Sequence, residues 1–229
     1  MINKYRRIVK EVRHYGLFEI IKTKATEFYY KKKLKKIGIS YSSENCPVDV
    51  LNHLSLNKDA MLNQATAFYA IKRGFDFTGI NYSNICLLDI GCGYGKVLNF
   101  GMLKDFKRVV GVDLDNNAIE IAVANSIKMK MKGFKTPFSY QNIDACQFTI
   151  PEDINVIFMA NPFGKATMVE VMDKIIKFQQ FYNREFFVIY SVPVHQEVLD
   201  CHEGCYKIFE SFNANKTCSE MAIFKIRKN

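Results

Sequence analysis

Three glycines at alternate positions follow a short apolar segment, and this arrangement restricts the fold more than any other feature of the chain. The stretch LLDIGCGYGKVLNFG places Gly91, Gly93 and Gly95 directly after a run that ends in Asp89 and Ile90. Glycine permits a tight turn between a buried strand and a helix, and it lets a ligand approach the backbone closely. The stretch therefore predicts a strand, a ligand-binding turn and a helix in that order, as in an open α/β sheet.

Strand-like and helix-like segments alternate from Ile85 onward, as expected for parallel strands joined by crossover helices. The expected strands are 85–90, 108–113, 138–144, 155–161 and 185–193. The expected helices are 59–72, 94–104, 116–130 and 164–176. Asn116 is the predicted cap of the helix that it begins. Two final runs, 206–212 and 220–226, predict an antiparallel hairpin. The fold expected from this order is a Rossmann-like α/β sheet, mainly parallel, with a C-terminal antiparallel hairpin.

The spacing of the glycines distinguishes two kinds of nucleoside site. Nicotinamide-binding folds use G-x-G-x-x-G, so that a pyrophosphate rests on the helix N-terminus, but Lys96 stands where the last glycine of that pattern belongs. The D-x-G-x-G-x-G pattern that starts at Asp89 instead resembles motif I of the class I S-adenosylmethionine-dependent methyltransferases. The resemblance implies that Gly91, Gly93 and Gly95 bind this cofactor. It also implies that Asp89 supplies negative charge for the ammonium and sulfonium groups.

Two later strand ends carry the same resemblance. In GVDLDNNAI, Asp113 matches the acid that accepts both ribose hydroxyls in this family, while Asp115 is the second choice or caps the next helix. In NIDACQF, Asp144 with Ala145 matches the contact to adenine. Open α/β sheets bind ligands at the carboxyl ends of their strands. The resemblance, which covers about 85–226, therefore implies one S-adenosylmethionine site at that edge.

The segment VIFMANPFG at the end of the fourth expected strand bears on the methyl acceptor. Asn161, Pro162 and Phe163 give N-P-F, one proline short of the [DN]-P-P-[YFW] motif of amine-directed family members, so adenine and glutamine acceptors are not indicated. The segment is similar to that of a small bacterial group of methyltransferase-like proteins with a "YNPF" signature. That group also has a basic residue after the third glycine and a histidine after the fifth strand, which Lys96 and His195 match.

Three residues are the catalytic candidates that follow from this resemblance. Asn161 would orient an amine or hydroxyl acceptor, and Tyr190 or His195 would take its proton. Pro162 and Phe163, with Asn161, would bind the acceptor. A structural alternative stays open for three of these residues: Asn161 caps the next helix, Phe163 belongs to the core, and His195 begins a helix.

The positive charge of the chain is concentrated at its start. Residues 1–40 hold 12 Lys and Arg against 3 Asp and Glu, whereas 41–229 hold 20 of each. Two amphipathic helices are expected in this segment. The first has apolar residues Tyr5, Ile8, Val9, Val12 and Tyr15; the second, from Leu17 to Lys36, has Leu17, Ile21, Phe28 and Tyr29 among its apolar positions. Either the apolar residues pack on the domain and leave the lysines solvated, or the lysines form a docking surface for an anionic membrane, a nucleic acid or a polyanionic glycan.

These observations divide the chain into a basic helical extension, 1–40, and a methyltransferase domain, 41–229, with a cofactor half at 85–150 and an acceptor half at 151–229. The leading hypothesis is an S-adenosylmethionine-dependent methyltransferase acting on an N or O nucleophile of a protein, nucleic acid, glycan or small molecule. The alternative is a non-catalytic S-adenosylmethionine-binding protein that holds a partner or anionic surface with its basic arm. A nicotinamide oxidoreductase is disfavoured by the glycine spacing.

Location and metal content are also predicted from composition. No signal peptide and no membrane-length apolar run are indicated, so a cytoplasmic protein is expected, peripheral at the membrane if the basic arm docks there. No metal site is expected, because the C-x3-C pair of Cys201 and Cys205 lacks a second cysteine pair.

Overall fold

The computed structural model describes residues 16–41, 66–212 and 219–227, and within these ranges the strands form one seven-stranded sheet. The strands are β1 (Cys86–Ile90), β2 (Arg108–Asp113), β3 (Phe138–Asn142), β4 (Val156–Ala160), β5 (Phe186–Ser191), β6 (Cys205–Phe212) and β7 (Ser219–Ile226). Their order across the sheet is β3-β2-β1-β4-β5-β7-β6. The first five strands in this order are parallel, and β7 pairs antiparallel with both β5 and β6. The predicted Rossmann-like sheet with a C-terminal hairpin is confirmed.

Six α-helices accompany the sheet in the described ranges. They are α1 (Leu17–Lys35), α2 (Phe68–Phe77), α3 (Lys96–Leu103), α4 (Asn116–Met131), α5 (Lys165–Tyr182) and α6 (Gln196–Asp200). The prediction that Asn116 caps its own helix is wrong: the cap of α4 is Asp115, whose carboxylate accepts a hydrogen bond from the Asn117 N–H at 2.9 Å. The helix expected from residue 59 is present from Phe68 to Phe77, and its expected beginning lies outside the described residues.

The registers of the central strands bring the predicted functional segments to one edge of the sheet. All five residues of β1 are buried, because the strand lies between β2 and β4 and has helices on both faces. Ile90 is level with Val112 on one side and with Met159 on the other. Ala160 is level with Ser191. The segments that follow β1, β2, β4 and β5 are therefore neighbours, as the parallel arrangement requires.

A cluster of aromatic rings fills one face of the sheet and includes α1. The Phe75 ring of α2 lies 4.9 Å from that of Phe106 and 5.8 Å from that of Phe100, measured between centroids. Tyr30 of α1 lies 5.4 Å from Phe68 and 5.2 Å from Phe100 by the same measure. The described part of the basic segment thus shares its core with the sheet. A boundary at residue 40 stays a prediction.

The predicted inward face of α1 is wrong. Its expected apolar residues are all more than half exposed: Leu17, Ile21, Phe28 and Tyr29. Tyr30 and Leu34 are buried instead, with exposed fractions of 3% and 1%. The helix has apolar side chains on two faces, so periodicity alone could not decide which face meets the domain. The first expected helix, with Tyr5 to Tyr15, lies outside the described residues. None of the helices within the described ranges is long and apolar enough to cross a membrane.

Truncation of the two faces of α1 tests this assignment. Leu34→Ala should lower the free energy of unfolding by about 2–5 kcal/mol, because it leaves a cavity in the aromatic core. Phe28→Ala, which removes a larger but exposed side chain, should change it by no more than about 0.5 kcal/mol. Urea denaturation monitored by circular dichroism measures both. Equal losses in the two variants would contradict the orientation of α1.

Candidate active site

The turn after β1 is bonded to the end of β2. Gly91, Gly93 and Gly95 have φ values of 75°, 49° and 76°, in the left-handed region that glycine tolerates. The Gly91 and Cys92 N–H groups both donate to the Val112 carbonyl, at 2.9 and 3.0 Å. The Gly93 N–H donates to Asp113 Oδ2 at 2.7 Å. The turn and the predicted ribose-binding acid are therefore held together by direct hydrogen bonds.

Two of the glycines are also required by close packing. A Cβ atom at Gly91 would lie 2.4 Å from the Cβ of Pro162, the central residue of N-P-F. A Cβ atom at Gly95 would lie 2.8 Å from the hydroxyl oxygen of Tyr140 on β3. Both distances are far below van der Waals contact. Because Gly91 has no side chain, the predicted acceptor motif can lie beside the turn. Because Gly95 has none, the Tyr140 side chain of the neighbouring strand can lie there.

Asp89 is a buried acid without a hydrogen-bond donor for one of its oxygens. The residue is 2% exposed, and none of the described residues donates to Oδ2. Burial, reinforced by the nearby charge of Asp113, raises the pKa of Asp89 well above its usual range. An unsatisfied buried carboxylate is costly, and a cationic ligand relieves that cost. The position therefore fits the ammonium and sulfonium end of S-adenosylmethionine.

The other two predicted cofactor acids end neighbouring strands. Asp113 Oδ1 accepts from the Asp115 N–H at 3.0 Å. Burial raises the pKa of Asp113, and the N–H donors of Asp115 and Gly93 partly oppose that rise. Asp144 Oδ1 accepts from the Cys146 N–H at 2.8 Å, which fixes the turn that also contains the half-buried Ala145. The β2–β3 pairing brings both acids to the same edge as Asp89.

Lys174 is a residue of this site that the sequence analysis missed. It lies on α5, and its ammonium donates to the carbonyl oxygens of Ala145 at 3.2 Å, Phe148 at 2.6 Å and Cys146. One cation thus fixes the loop predicted to contact adenine. The sequence does contain an indication of this role. Lys174 lies on the same face of α5 as the buried Val171 and Phe178, and a lysine on a buried face requires polar partners.

A buried polar network supports the turn from behind. Ser126 Oγ lies 3.1 Å from Asn99 Oδ1 and 2.8 Å from the Tyr140 hydroxyl. Asn99 in turn donates to the hydroxyl of Tyr41, which lies 3.5 Å from the Gly95 carbonyl. These side chains come from distant parts of the sequence, and no local motif marks them. The network thus reaches the carbonyl of the third glycine through Tyr41.

Lys96, the basic residue after the third glycine, contacts residues at and just before the start of α2. Its ammonium donates to the Thr66 carbonyl and lies 4.3 Å from the centroid of the Phe68 ring. Burial lowers its pKa to about 8. The side chain therefore links the start of α3 to α2, which is a structural role for the position that matched the bacterial group.

The residues of N-P-F differ in their surroundings. Asn161 has a left-handed φ of 47°, and its buried Oδ1 receives no hydrogen bond from the described residues. It does not cap α5, whose cap position is Gly164 and has no side-chain cap. Phe163 is only 6% exposed and packs in the core, as its structural alternative proposed. The structural alternative thus lacks support for Asn161 but holds for Phe163.

The segment after β5 holds the other two catalytic candidates. Tyr190 is fully buried, its hydroxyl accepts a hydrogen bond from the His195 backbone N–H at 3.3 Å, and burial raises its pKa to about 12. Such a hydroxyl is a poor proton carrier at neutral pH. The His195 side chain is 19% exposed, and its Nδ1 lies 3.8 Å from Glu197 Oε1. His195 also occupies the N-cap position of α6, without a side-chain capping bond.

Comparison with known proteins gives a family match for part of the chain. Residues 88–172 match a family model described as a methyltransferase domain. An uncharacterised protein of Methanocaldococcus jannaschii is 23% identical over 192 aligned residues, which cover 75% of this chain and 87% of that protein. The match to the family model starts within β1 and ends within α5, so it contains the glycine turn, all three predicted cofactor acids and N-P-F.

Solved structures agree with the fold. A proposed RNA methyltransferase from Pyrococcus horikoshii superposes with a TM-score of 0.51, at 17% identity, over 87% of this chain and 96% of that one. A protein of the NAD-binding Rossmann superfamily from Streptococcus agalactiae gives a TM-score of 0.53, at 13% identity, over 74% and 72%. The match to the methyltransferase model confirms the predicted resemblance to the methyltransferase family over 88–172, and the solved structures share the fold. Among the described residues, no cluster of three or more His, Cys, Asp or Glu side chains is placed to hold a metal.

Lys174 should control cofactor affinity through the loop that it holds. Lys174→Met leaves three carbonyl groups without their donor, so it should lower the free energy of unfolding by about 1–3 kcal/mol. It should also weaken S-adenosylhomocysteine binding several-fold under native conditions. Lys177→Met, at an exposed position one turn along α5, is the matched control. Urea denaturation and calorimetry measure the two effects. Unchanged affinity in Lys174→Met would limit the residue to a stabilising role.

Asp89 should lower the stability of the ligand-free protein and raise its affinity for S-adenosylmethionine. Because its pKa is raised in the folded protein, its contribution to stability is complete below the unfolded value near 4 and is lost as pH rises through the raised value. Asp89→Asn should therefore flatten the decline in ligand-free stability toward high pH. It should also weaken S-adenosylmethionine binding at least about tenfold, about 1.4 kcal/mol, because the cation loses its counter-charge. Unfolding at several pH values and calorimetry test both; identical pH profiles of the two proteins would refute the assignment.

Proposed function

We propose that the protein is an S-adenosylmethionine-dependent methyltransferase that methylates an N or O atom of an acceptor bearing an N–H or O–H group. One observation carries the proposal. Two buried oxygens, Asp89 Oδ2 and Asn161 Oδ1, lack donors among the described residues, and they belong to the paired strand ends of β1 and β4. Gly91 and Pro162 are in close contact at the same place. One oxygen suits a cation and the other suits a hydrogen-bond donor.

On the cofactor side, each proposed contact comes from a hydrogen-bond acceptor or from a residue whose backbone the ligand can approach. Asp89 would face the ammonium and sulfonium end. Asp113 would accept the ribose hydroxyls with the lone pairs that the Gly93 and Asp115 N–H groups leave free. Asp144 and Ala145, fixed by the Lys174 ammonium, would contact adenine. Gly91, Gly93 and Gly95 would allow the ligand to lie against the backbone.

On the acceptor side, Asn161 would accept a hydrogen bond from the nucleophile and aim its lone pair at the methyl carbon. Bound S-adenosylmethionine supplies an electrophilic methyl group, whose transfer breaks the carbon–sulfur bond and leaves the electron pair on sulfur. Correct positioning provides most of the acceleration in such a displacement, so no covalent protein intermediate is needed. Pro162 would keep the acceptor segment against the turn, and the buried Phe163 would support it from the core.

His195 would remove the acceptor proton. Its side chain is mostly buried but reaches solvent, and the Glu197 carboxylate, 3.8 Å from Nδ1, would orient the ring. Tyr190 would act as a positioning residue rather than a base, because its hydroxyl has a raised pKa and holds the His195 backbone. This assignment narrows the three catalytic candidates to Asn161 and His195.

Calorimetry tests the cofactor half of the proposal. Wild-type protein should bind S-adenosylmethionine and S-adenosylhomocysteine with micromolar affinity and should not bind NAD. Asp113→Ala should weaken both methyl ligands by about tenfold or more, because a bidentate charge-assisted contact is lost. Glu120→Ala, at an exposed acid on α4, is the control and should bind like wild type. Binding of NAD, or failure of both methyl ligands, would contradict the proposal.

Transfer of a labelled methyl group tests the acceptor half. Protein, nucleic acid, glycan and small-molecule fractions would each be incubated with labelled cofactor. Asn161→Ala should keep its affinity for S-adenosylhomocysteine and lose about tenfold to a hundredfold in transfer. His195→Gln should lose about a hundredfold or more, whereas His202→Gln should not. Tight cofactor binding without transfer to any fraction would favour the non-catalytic alternative.

A further inference from the structure

The outward face of α1 exposes large apolar side chains. Five of them are more than half exposed, from 54% for Tyr29 to 78% for Phe18, and the others are Leu17, Ile21 and Phe28. A helix that packs on a domain normally turns such residues inward. Here the inward face is already complete with Tyr30 and Leu34. The outward apolar residues are therefore additional to what the fold requires.

The helix is fixed on the domain, so this outward face has a definite orientation. The Tyr30 ring packs on Phe68 and Phe100. The Glu27 carboxylate accepts a hydrogen bond from the Tyr69 N–H at 3.0 Å, at the start of α2. Beyond the end of the helix, the Lys128 ammonium donates to the Gly38 carbonyl at 3.1 Å. The exposed side chains are thus presented on a rigid base.

The charges of α1 are arranged around the same face. The helix contains six lysines and two glutamates. Glu27 faces the domain, as its bond to Tyr69 shows, and Glu19 projects within 80° of it at 100° per residue. By the same geometry, Lys24 and Lys31 flank one side of the apolar stripe and Lys22 flanks the other. The outward face therefore combines apolar side chains with positive charge. The two acids of this helix project toward the domain side, where Glu19 lies 3.9 Å from Lys22 and Glu27 lies 3.7 Å from Lys31.

We propose that α1 docks the protein flat on an anionic lipid bilayer, with Leu17, Phe18, Ile21, Phe28 and Tyr29 entering the interface. Such a surface both buries apolar side chains and attracts cations. The long lysine side chains extend along the apolar stripe and place their ammonium groups among the headgroups. A nucleic acid would match the lysines, but it offers no apolar environment for Leu17 and Ile21, which neither stack on bases nor form hydrogen bonds. This inference concerns binding and is independent of the proposed methyl transfer.

Vesicle flotation with the full chain tests the proposal. The protein should float with vesicles that contain phosphatidylglycerol, should bind pure phosphatidylcholine vesicles far more weakly, and should lose binding as salt is added. The double variant Phe18→Ser/Phe28→Ser should weaken binding at least tenfold. Phe181→Ser is the matched control: it removes an aromatic side chain that is 81% exposed on α5, and it should leave binding unchanged.

A charge variant, and tests of a polyanion and of self-association as other uses of this face, complete the experiment. Lys24→Gln/Lys31→Gln should weaken binding, whereas Lys132→Gln/Lys177→Gln, at exposed positions just after α4 and on α5, should have less effect. Failure of wild type to bind the anionic vesicles would overturn the proposal. So would undiminished binding by Phe18→Ser/Phe28→Ser. Heparin provides a competing test. If heparin displaces the vesicles and binds Phe18→Ser/Phe28→Ser as well as it binds wild type, then the lysines bind a polyanion rather than a membrane. Sedimentation that shows dimers lost in the double variant, without vesicle binding, would assign the face to self-association.

Discussion

The contact between Gly91 and Pro162 is the constraint on which the arrangement of the site depends. β1 and β4 are adjacent and parallel, and the turn after one meets N-P-F after the other at a distance that leaves no room for a Cβ atom. A side chain at Gly91 would push the two segments apart and would also strain a left-handed backbone position. The contact brings the cofactor turn and the predicted acceptor motif to one place, so a methyl group could pass between ligands held on neighbouring strands.

Charge explains why this place suits a cationic ligand. Asp89, Asp113 and Asp144 end three strands at one edge, and Asp89 has a raised pKa because burial and Asp113 both disfavour its ionised form. Lys174 donates its hydrogen bonds to carbonyl groups of the loop after β3. Burial thus disfavours the ionised forms of Asp89 and Asp113 in the ligand-free protein, and a positive group bound beside them would favour ionisation.

Helix α1 shows how a regular pattern can be correct about structure and wrong about orientation. The sequence predicts its extent almost to the residue, because helix formation depends on local side chains and on the following Gly38. It does not predict which side is buried, because apolar residues occur on two faces. The aromatic cluster of α2 and α3 selects Tyr30 and Leu34, since their rings and methyl groups complete that cluster. The remaining apolar residues of α1 then lie on its exposed side.

The sequence by itself determined the sheet, its terminal hairpin and the residues at the strand ends, because strand periodicity, glycine spacing and acids at turns are local properties. It also predicted the cofactor, because the resemblance to motif I depends on such spacings. Only the tertiary structure decided that Lys174 holds carbonyls 26 to 29 residues away, and that Tyr41, Asn99, Ser126 and Tyr140 form one network. It also showed that Asn161 does not cap α5 and that Tyr190 is buried. Burial and hydrogen-bond partners arise from segments distant in the chain, so local patterns carry no record of them.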